Sequence, residues 1–340
     1  MKNILFICRA SVNDGLGHLM RCSSVIDAFP NSCNIRLLVI GDEVAANVLN
    51  GVRYEYKIID HDKEVISFAK VLNPDLVVFD LINIDPKIFS VMQSYGPVVS
   101  ISPIFNLQKM VDFSYSRTRY DCIPELTNSV NHKRSLQYAT ISKHCVRISE
   151  EKYLSSMQNG PLSVAICMGG SDAFNSTLSI LEQVRGISIP LVFWVIVGEG
   201  YSHSYNELIN CVQKDKIHEV IVAKTTRSMW RILSSCAIGI FAGGITTYEA
   251  AYAGLPSINT IVSDKQHFLL KELEEMGACF CIGSDPNTFG VHINRILIEL
   301  DANRDELINM HRRSKLLIDG LGAYRIANDL NLLLLGDNIN

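Results

Sequence analysis

Three glycine-bearing turns, each placed where an apolar run ends and a helix-like stretch begins, constrain this chain more than any other feature. The first is Asp14-Gly15-Leu16-Gly17-His18-Leu19-Met20-Arg21. The second is Met168-Gly169-Gly170-Ser171-Asp172-Ala173-Phe174-Asn175-Ser176-Thr177, and the third Phe241-Ala242-Gly243-Gly244-Ile245-Thr246-Thr247-Tyr248-Glu249. A strand that passes into a helix through glycine is the repeating unit of a parallel α/β sheet. Such sheets bind ligands at these turns, beyond the carboxyl ends of the strands.

The segments between the turns keep that rhythm. Asn3–Cys8, Ile35–Ile40, Tyr54–Ile59, Leu76–Asp80 and Val98–Ile101 read as strands, separated by His18–Phe29, Glu64–Leu72 and Pro86–Ser94 as helices. Pro124, Asn128, Asn131 and Asn159-Gly160-Pro161 interrupt the pattern between Asn106 and Gly160. It restarts with strands at Leu162–Met168, Leu191–Val197, Val220–Val222, Ala237–Phe241, Ser257–Ile261 and Cys279–Ile282, and with helices beginning near Asn175, Ser204, Thr226, Thr246 and Gln266. A length of 340 residues suits two domains. The expected organisation is α/β, with two doubly wound Rossmann-like domains and a cleft between them. Residues 1–158 form an N-terminal domain and 159–322 a C-terminal domain. Residues 323–340 read as a helix with a leucine-rich face, one that either packs back on the first domain or is an ordinary terminal helix.

Composition narrows the partners. Lys+Arg 31 against Asp+Glu 35 gives a net charge of −4, so no nucleic acid or anionic membrane is attracted in general, and an anionic ligand must be held locally. The longest apolar run, Ile187–Val197, is too short to span a bilayer. Ten cysteines at uneven spacings, with no C-x-x-C pair, suit a reducing cytoplasm. Cys279 and Cys281 face one side of a strand; with no matching His/Cys pair nearby they read as core, and no metal is expected.

The first turn begins a G-x-G dinucleotide fingerprint but has Met20 at the third glycine position, so a nicotinamide cofactor is not specified and no cofactor is expected. Gly15 and Gly17 instead let the backbone approach a substrate, with Arg21 a further candidate contact. His18 is placed at a helix N-terminus, which disfavours imidazolium and readies it as a general base. In the second turn Gly169, Gly170, Ser171 and Asn175 suit an anion site at a helix start; the alternative is a plain turn capped by Asp172 or Asn175. The third repeats the design with Gly243, Gly244, Thr246 and Thr247, and two such loops suit a diphosphate. Glu249 can accept hydrogen bonds from both hydroxyls of a ribose, or serve as a helix-dipole partner. Asp60-His61-Asp62, in an ordinary connection, reads as surface.

In order along nearly the whole chain, these motifs, with Gly254-Leu255-Pro256 after the third, resemble those of the UDP-sugar hydrolases of pseudaminic acid biosynthesis and their spore-coat polysaccharide relatives. More distantly they resemble the GlcNAc transferase of peptidoglycan synthesis. The resemblance implies a GT-B fold, a nucleotide-sugar substrate with UDP favoured, and His18 as the base that activates water without a metal. It also implies a substrate contact from Gln266. The family's Asp-His-Tyr stands here as Asp80-Leu81-Ile82, its Asn-Gln as Lys265-Gln266, and its arginine after Tyr138-Ala139 is Thr140. Three readings follow: hydrolysis of a UDP-sugar, transfer of the sugar to a glycan acceptor hydroxyl, and nucleotide-sugar binding without turnover. If His18 is structural, Asp14, Asp80 and His267 are the next bases to consider.

Overall fold

The computed structural model describes residues 2–30, 33–120, 131–157, 160–224, 229–283, 285 and 288–336. Pro124, Asn128, the boundary residue Asn159 and the helix start at Thr226 lie outside them. The chain forms two compact units, one built from the residues up to Ser142 together with those from Gly320 onward, the other from Lys143–Asp319.

The described strands of the first unit are β1 (Asn3–Ala10), β2 (Asn34–Gly41), β3 (Glu55–Ile59), β4 (Leu76–Asp80), β5 (Val98–Ser100), β6 (Phe113–Ser116) and β7 (His132–Arg134). They pair in parallel in the order β3-β2-β1-β4-β5-β6-β7. The second unit holds β8 (Leu162–Cys167), β9 (Leu191–Val197), β10 (Glu219–Lys224), β11 (Ile238–Phe241), β12 (Ser257–Ile261) and β13 (Cys279–Gly283), all parallel in the order β10-β9-β8-β11-β12-β13. In each sheet the direction of winding reverses once, between β1 and β4 and between β8 and β11. These are the switch points where doubly wound sheets open a crevice.

The apolar pattern of β1 explains the layering. Ile4, Phe6, Cys8 and Ala10 point to one face, against Leu19, Cys22 and Val25 of the helix Gly17–Asp27; Leu5 and Ile7 point to the other, with Val65, Ala69, Ile88 and Phe89. A strand apolar on both faces requires helices on both sides. The helix Gly322–Leu335 completes the first of these layers through Ala323, Ile326, Ala327 and Leu330. Its entry demands glycine: a Cβ on Gly322 would lie 2.3 Å from the Ala139 carbonyl oxygen.

The sequence reading and the structure differ in the stretch from Asn106 to Gly160. No strand is expected there, yet β6 and β7 extend the first sheet. The units divide at Ser142 and Lys143 rather than near 159, because the helix Glu150–Met157 belongs to the second unit. There the Tyr153 hydroxyl donates to the Ala237 carbonyl at 2.7 Å and its ring stacks on His311. None of the described helices is long and apolar enough to cross a membrane.

Candidate functional site

At the switch point of the first sheet, the turn after β1 delivers His18 as the second residue of the helix Gly17–Asp27, opposite Asp80, the last residue of β4. Gly15 makes the turn with φ 75°, its amide donating to the Ser11 carbonyl at 2.9 Å. His18 Nδ1 lies 2.6 Å from Asp80 Oδ1. Arg21, one helical turn beyond His18, grips the same carboxylate with both arms, Nε to Oδ2 and Nη2 to Oδ1, each at 2.8 Å. The Ser102 hydroxyl, just past β5, donates to Oδ1 at 2.5 Å.

Asp80 has no exposed surface. Burial alone would raise its carboxyl pKa, but the Arg21 guanidinium, with His18, outweighs that and holds it well below the usual carboxylate range. An ionised carboxylate at 2.6 Å repels a bare nitrogen lone pair, so the His18 proton sits on Nδ1 and points at Asp80. Arg21 Nη2, 2.7 Å from the same Nδ1, is then a second donor converging on Oδ1 rather than a bond to the ring. This tautomer leaves Nε2 as a proton acceptor, the arrangement of an orienting carboxylate behind a catalytic imidazole.

Arg21 of the first turn, expected to touch substrate, is buried and bound to Asp80; Asp80 at the end of β4, a reserve base in the sequence reading, sits against His18 Nδ1. Asp14 is exposed and closes its own turn on Ser11, whereas His267 belongs to the second unit. Asp62 of the Asp60-His61-Asp62 run pairs with Arg9 at 2.5 Å. Ser102 went unnoticed in the sequence; its signal is only its place after the strand that neighbours β4.

In the second unit the two diglycine turns follow β8 and β11, the strands that flank the switch point. They are not equivalent. After β8, Gly169 (φ 89°), Asp172 (φ 46°) and Asn175 (φ 52°) adopt left-handed conformations that fold the turn back, and the Asp172 carboxylate accepts from the amides of Ser176 at 2.8 Å and Thr177 at 2.9 Å. The anion expected at this helix start is thus supplied by the chain itself, and Asp172 rather than Asn175 is the cap. Asn175 Oδ1 instead accepts from the Tyr201 hydroxyl at 3.0 Å. Among the described hydrogen bonds none uses the amide of Gly170 or Ser171, so what this turn still offers comes from the loop ahead of the helix.

After β11 the helix Ile245–Ala253 begins with Gly244 as its N-cap and no side chain capping it. Gly244 is exposed, and an added Cβ would meet nothing within 4 Å. Uncapped first-turn amides beside open space are a ready anion site. Gly243 (φ 65°) turns the chain into it. Thr246 stays partly exposed at the helix start, while Thr247 turns inward and donates to Asn259 Oδ1 at 2.6 Å. Glu249 is 3% exposed and accepts from Trp230 Nε1 at 3.3 Å, which fixes its carboxylate inside this unit. Gln266 does not reach outward: its Nε2 donates to the Ala242 carbonyl and its Oε1 accepts from the Val262 amide at 2.9 Å, clamping the glycine turn to the loop after β12.

No family model matches the chain. An uncharacterised protein of Methanocaldococcus jannaschii, MJ1062, is 19% identical over 269 residues, 75% of this chain; the match spans about half of that relative's length, 54%. Among solved structures, Acinetobacter baumannii MurG superposes with a TM-score of 0.66 at 14% identity, covering 96% of this chain and 99% of that one. Staphylococcus aureus MnaA, in a structure with UDP, gives 0.65 at 13% identity, covering 98% and 97%. Anabaena HepE in complex with UDP gives 0.62 at 12% identity, covering 97% and 100%. The chain has the two-domain α/β architecture of GT-B type.

Proposed function

We propose that this protein is a nucleotide-sugar-processing enzyme that hydrolyses a UDP-activated acetamido sugar of bacterial surface-glycan or nonulosonic acid synthesis, with His18 as general base and no metal required for the step. The observation that carries the reading is the buried Asp80 carboxylate on His18 Nδ1, which leaves Nε2 to take a proton. In the reaction, Nε2 removes a proton from water as the water oxygen bonds to the anomeric carbon. The bond from that carbon to the diphosphate oxygen breaks, and UDP departs with the pair of electrons. The uncapped start of the helix Ile245–Ala253 is assigned to the diphosphate, where amides and helix dipole stabilise the departing charge. Glu249 of the same helix is assigned to the ribose hydroxyls. The UDP-containing neighbours of the same fold support a nucleotide-sugar ligand.

A glycan hydroxyl in place of water would make the same dyad a glycosyltransferase, a reading favoured by Ile82, an exposed apolar side chain two residues past Asp80. One experiment decides. The protein is incubated with a panel of UDP- and CMP-activated sugars, with and without glycan acceptors, and free nucleotide is followed. Hydrolysis predicts release of UDP without acceptor, and His18→Asn lowers it by about a hundred- to ten-thousand-fold while UDP affinity is retained. Release that needs an acceptor assigns transfer, and release unchanged in His18→Asn removes His18 as the base.

A further inference from the structure

The helix Asp264–Glu275 and the edge strand β13 carry a group of side chains that the proposed chemistry does not use. His267 and Glu274 stand seven residues apart on the helix, close to two full turns, and therefore share a face. Cys281 of β13 lies opposite. The ligand atoms of His267, Glu274 and Cys281 all lie within 4.8 Å of one another. Glu274 is fixed in place by the Cys281 amide, which donates to Oε1 at 2.9 Å, and its Oε2 sits 3.1 Å from His267 Nε2. A tetrahedral ion with bonds of about 2.0–2.3 Å separates its ligand atoms by roughly 3.3–3.7 Å, so this nitrogen–oxygen pair already approximates one edge.

We infer that His267, Glu274 and Cys281 form a three-donor site for a thiophilic divalent cation of the zinc class, with the fourth position left to water. From the sequence Cys279 and Cys281 read as core for want of a matching His/Cys pair; His267 and Glu274 precede them on a helix, and the set follows no familiar cysteine–histidine spacing. Binding replaces the Cys281 thiol proton, which passes to solvent, with a sulfur–metal bond; His267 coordinates through Nε2 and Glu274 through Oε2. His267 is half-exposed, so the ion enters from solvent. The site fastens the helix to the strand that follows it. A plain surface histidine–glutamate pair is the competing reading, and it assigns the Cys281 sulfur no part.

The test is titration of the reduced, metal-free protein with Co²⁺, which reports thiolate ligation by a sulfur-to-metal charge-transfer band, followed by displacement with Zn²⁺. The wild type should develop the band at one equivalent and lose it to Zn²⁺. Cys281→Ser should lack the band. His267→Ala, a surface change that leaves the fold intact, should weaken Co²⁺ roughly a hundredfold. Cys33→Ser, a partly exposed cysteine elsewhere, should match the wild type. A wild type with no band, or a band undiminished in either Cys281→Ser or His267→Ala, overturns the site.

Discussion

Asp80 is wholly buried yet ionised, and this couples stability to pH in a definite direction. Its folded-state pKa lies below the ordinary value of about 3.9, so its contribution is complete above roughly pH 4 and is lost as pH falls through the folded value. Asp80→Asn removes that dependence but leaves Arg21 buried without its counter-charge, a change that costs about 3–5 kcal/mol. Urea unfolding between about pH 3 and pH 7 should show a variant that is weaker at neutrality and less sensitive to acid than the wild type. Turnover should fall as well, because an amide can present a donor to Nδ1 and turn the imidazole into the other tautomer. His18 was legible in the sequence because glycines and a helix start frame it. Its partners were not: Asp80 and Ser102 arrive from β4 and the segment after β5, and only the pairing of those strands brings them together. Arg21 was visible as part of the motif, but its contact with the Asp80 carboxylate at 2.8 Å follows only from the place of β4 beside β1.

Among the elements, the two glycines after β11 have opposite consequences. Gly244 has φ −100° and open space where a Cβ would stand, so Gly244→Ala should leave folding stability within about 0.5 kcal/mol while weakening UDP binding through a blocked approach to the amides. At Gly243 a Cβ would lie 2.8 Å from Gln266 Nε2 and 3.1 Å from Ile261 Cδ1, in a left-handed conformation. Gly243→Ala should therefore cost about 1 kcal/mol or more and disturb the clamp as well. Calorimetric UDP titration beside thermal unfolding of both variants separates ligand approach from turn geometry. Unaltered UDP affinity in Gly244→Ala would remove the diphosphate from this turn. The strands apolar on both faces were readable from the sequence, as β4 and β9 show, since nothing else buries such runs. β6 and β7 were not: four and three residues long, with Ser114 and Ser116 in one and His-Lys-Arg in the other, they lack a run to detect and exist because β5 offers an edge.

At the scale of the molecule, the first unit is assembled from both ends of the described chain. Leu330 is completely buried in the layer shared by β1 and the helix Gly17–Asp27, and Leu330→Ala should cost that unit about 2–5 kcal/mol. Both tryptophans, Trp194 and Trp230, belong to the second unit. Circular dichroism of Leu330→Ala should therefore show part of the transition moved to lower urea while tryptophan fluorescence keeps its midpoint; a fluorescence midpoint that shifts equally means that the two units unfold as one. The same construction bears on synthesis. Translation delivers residues in order, so Lys143–Asp319 leave the ribosome before the helix Gly322–Leu335 that finishes the earlier unit's core. The half made first must wait with an open apolar face while the half made second can close around its own sheet. Released chains truncated after Asp319 should hold a protease-resistant second unit and a digestible first one, the reverse of the usual vectorial order.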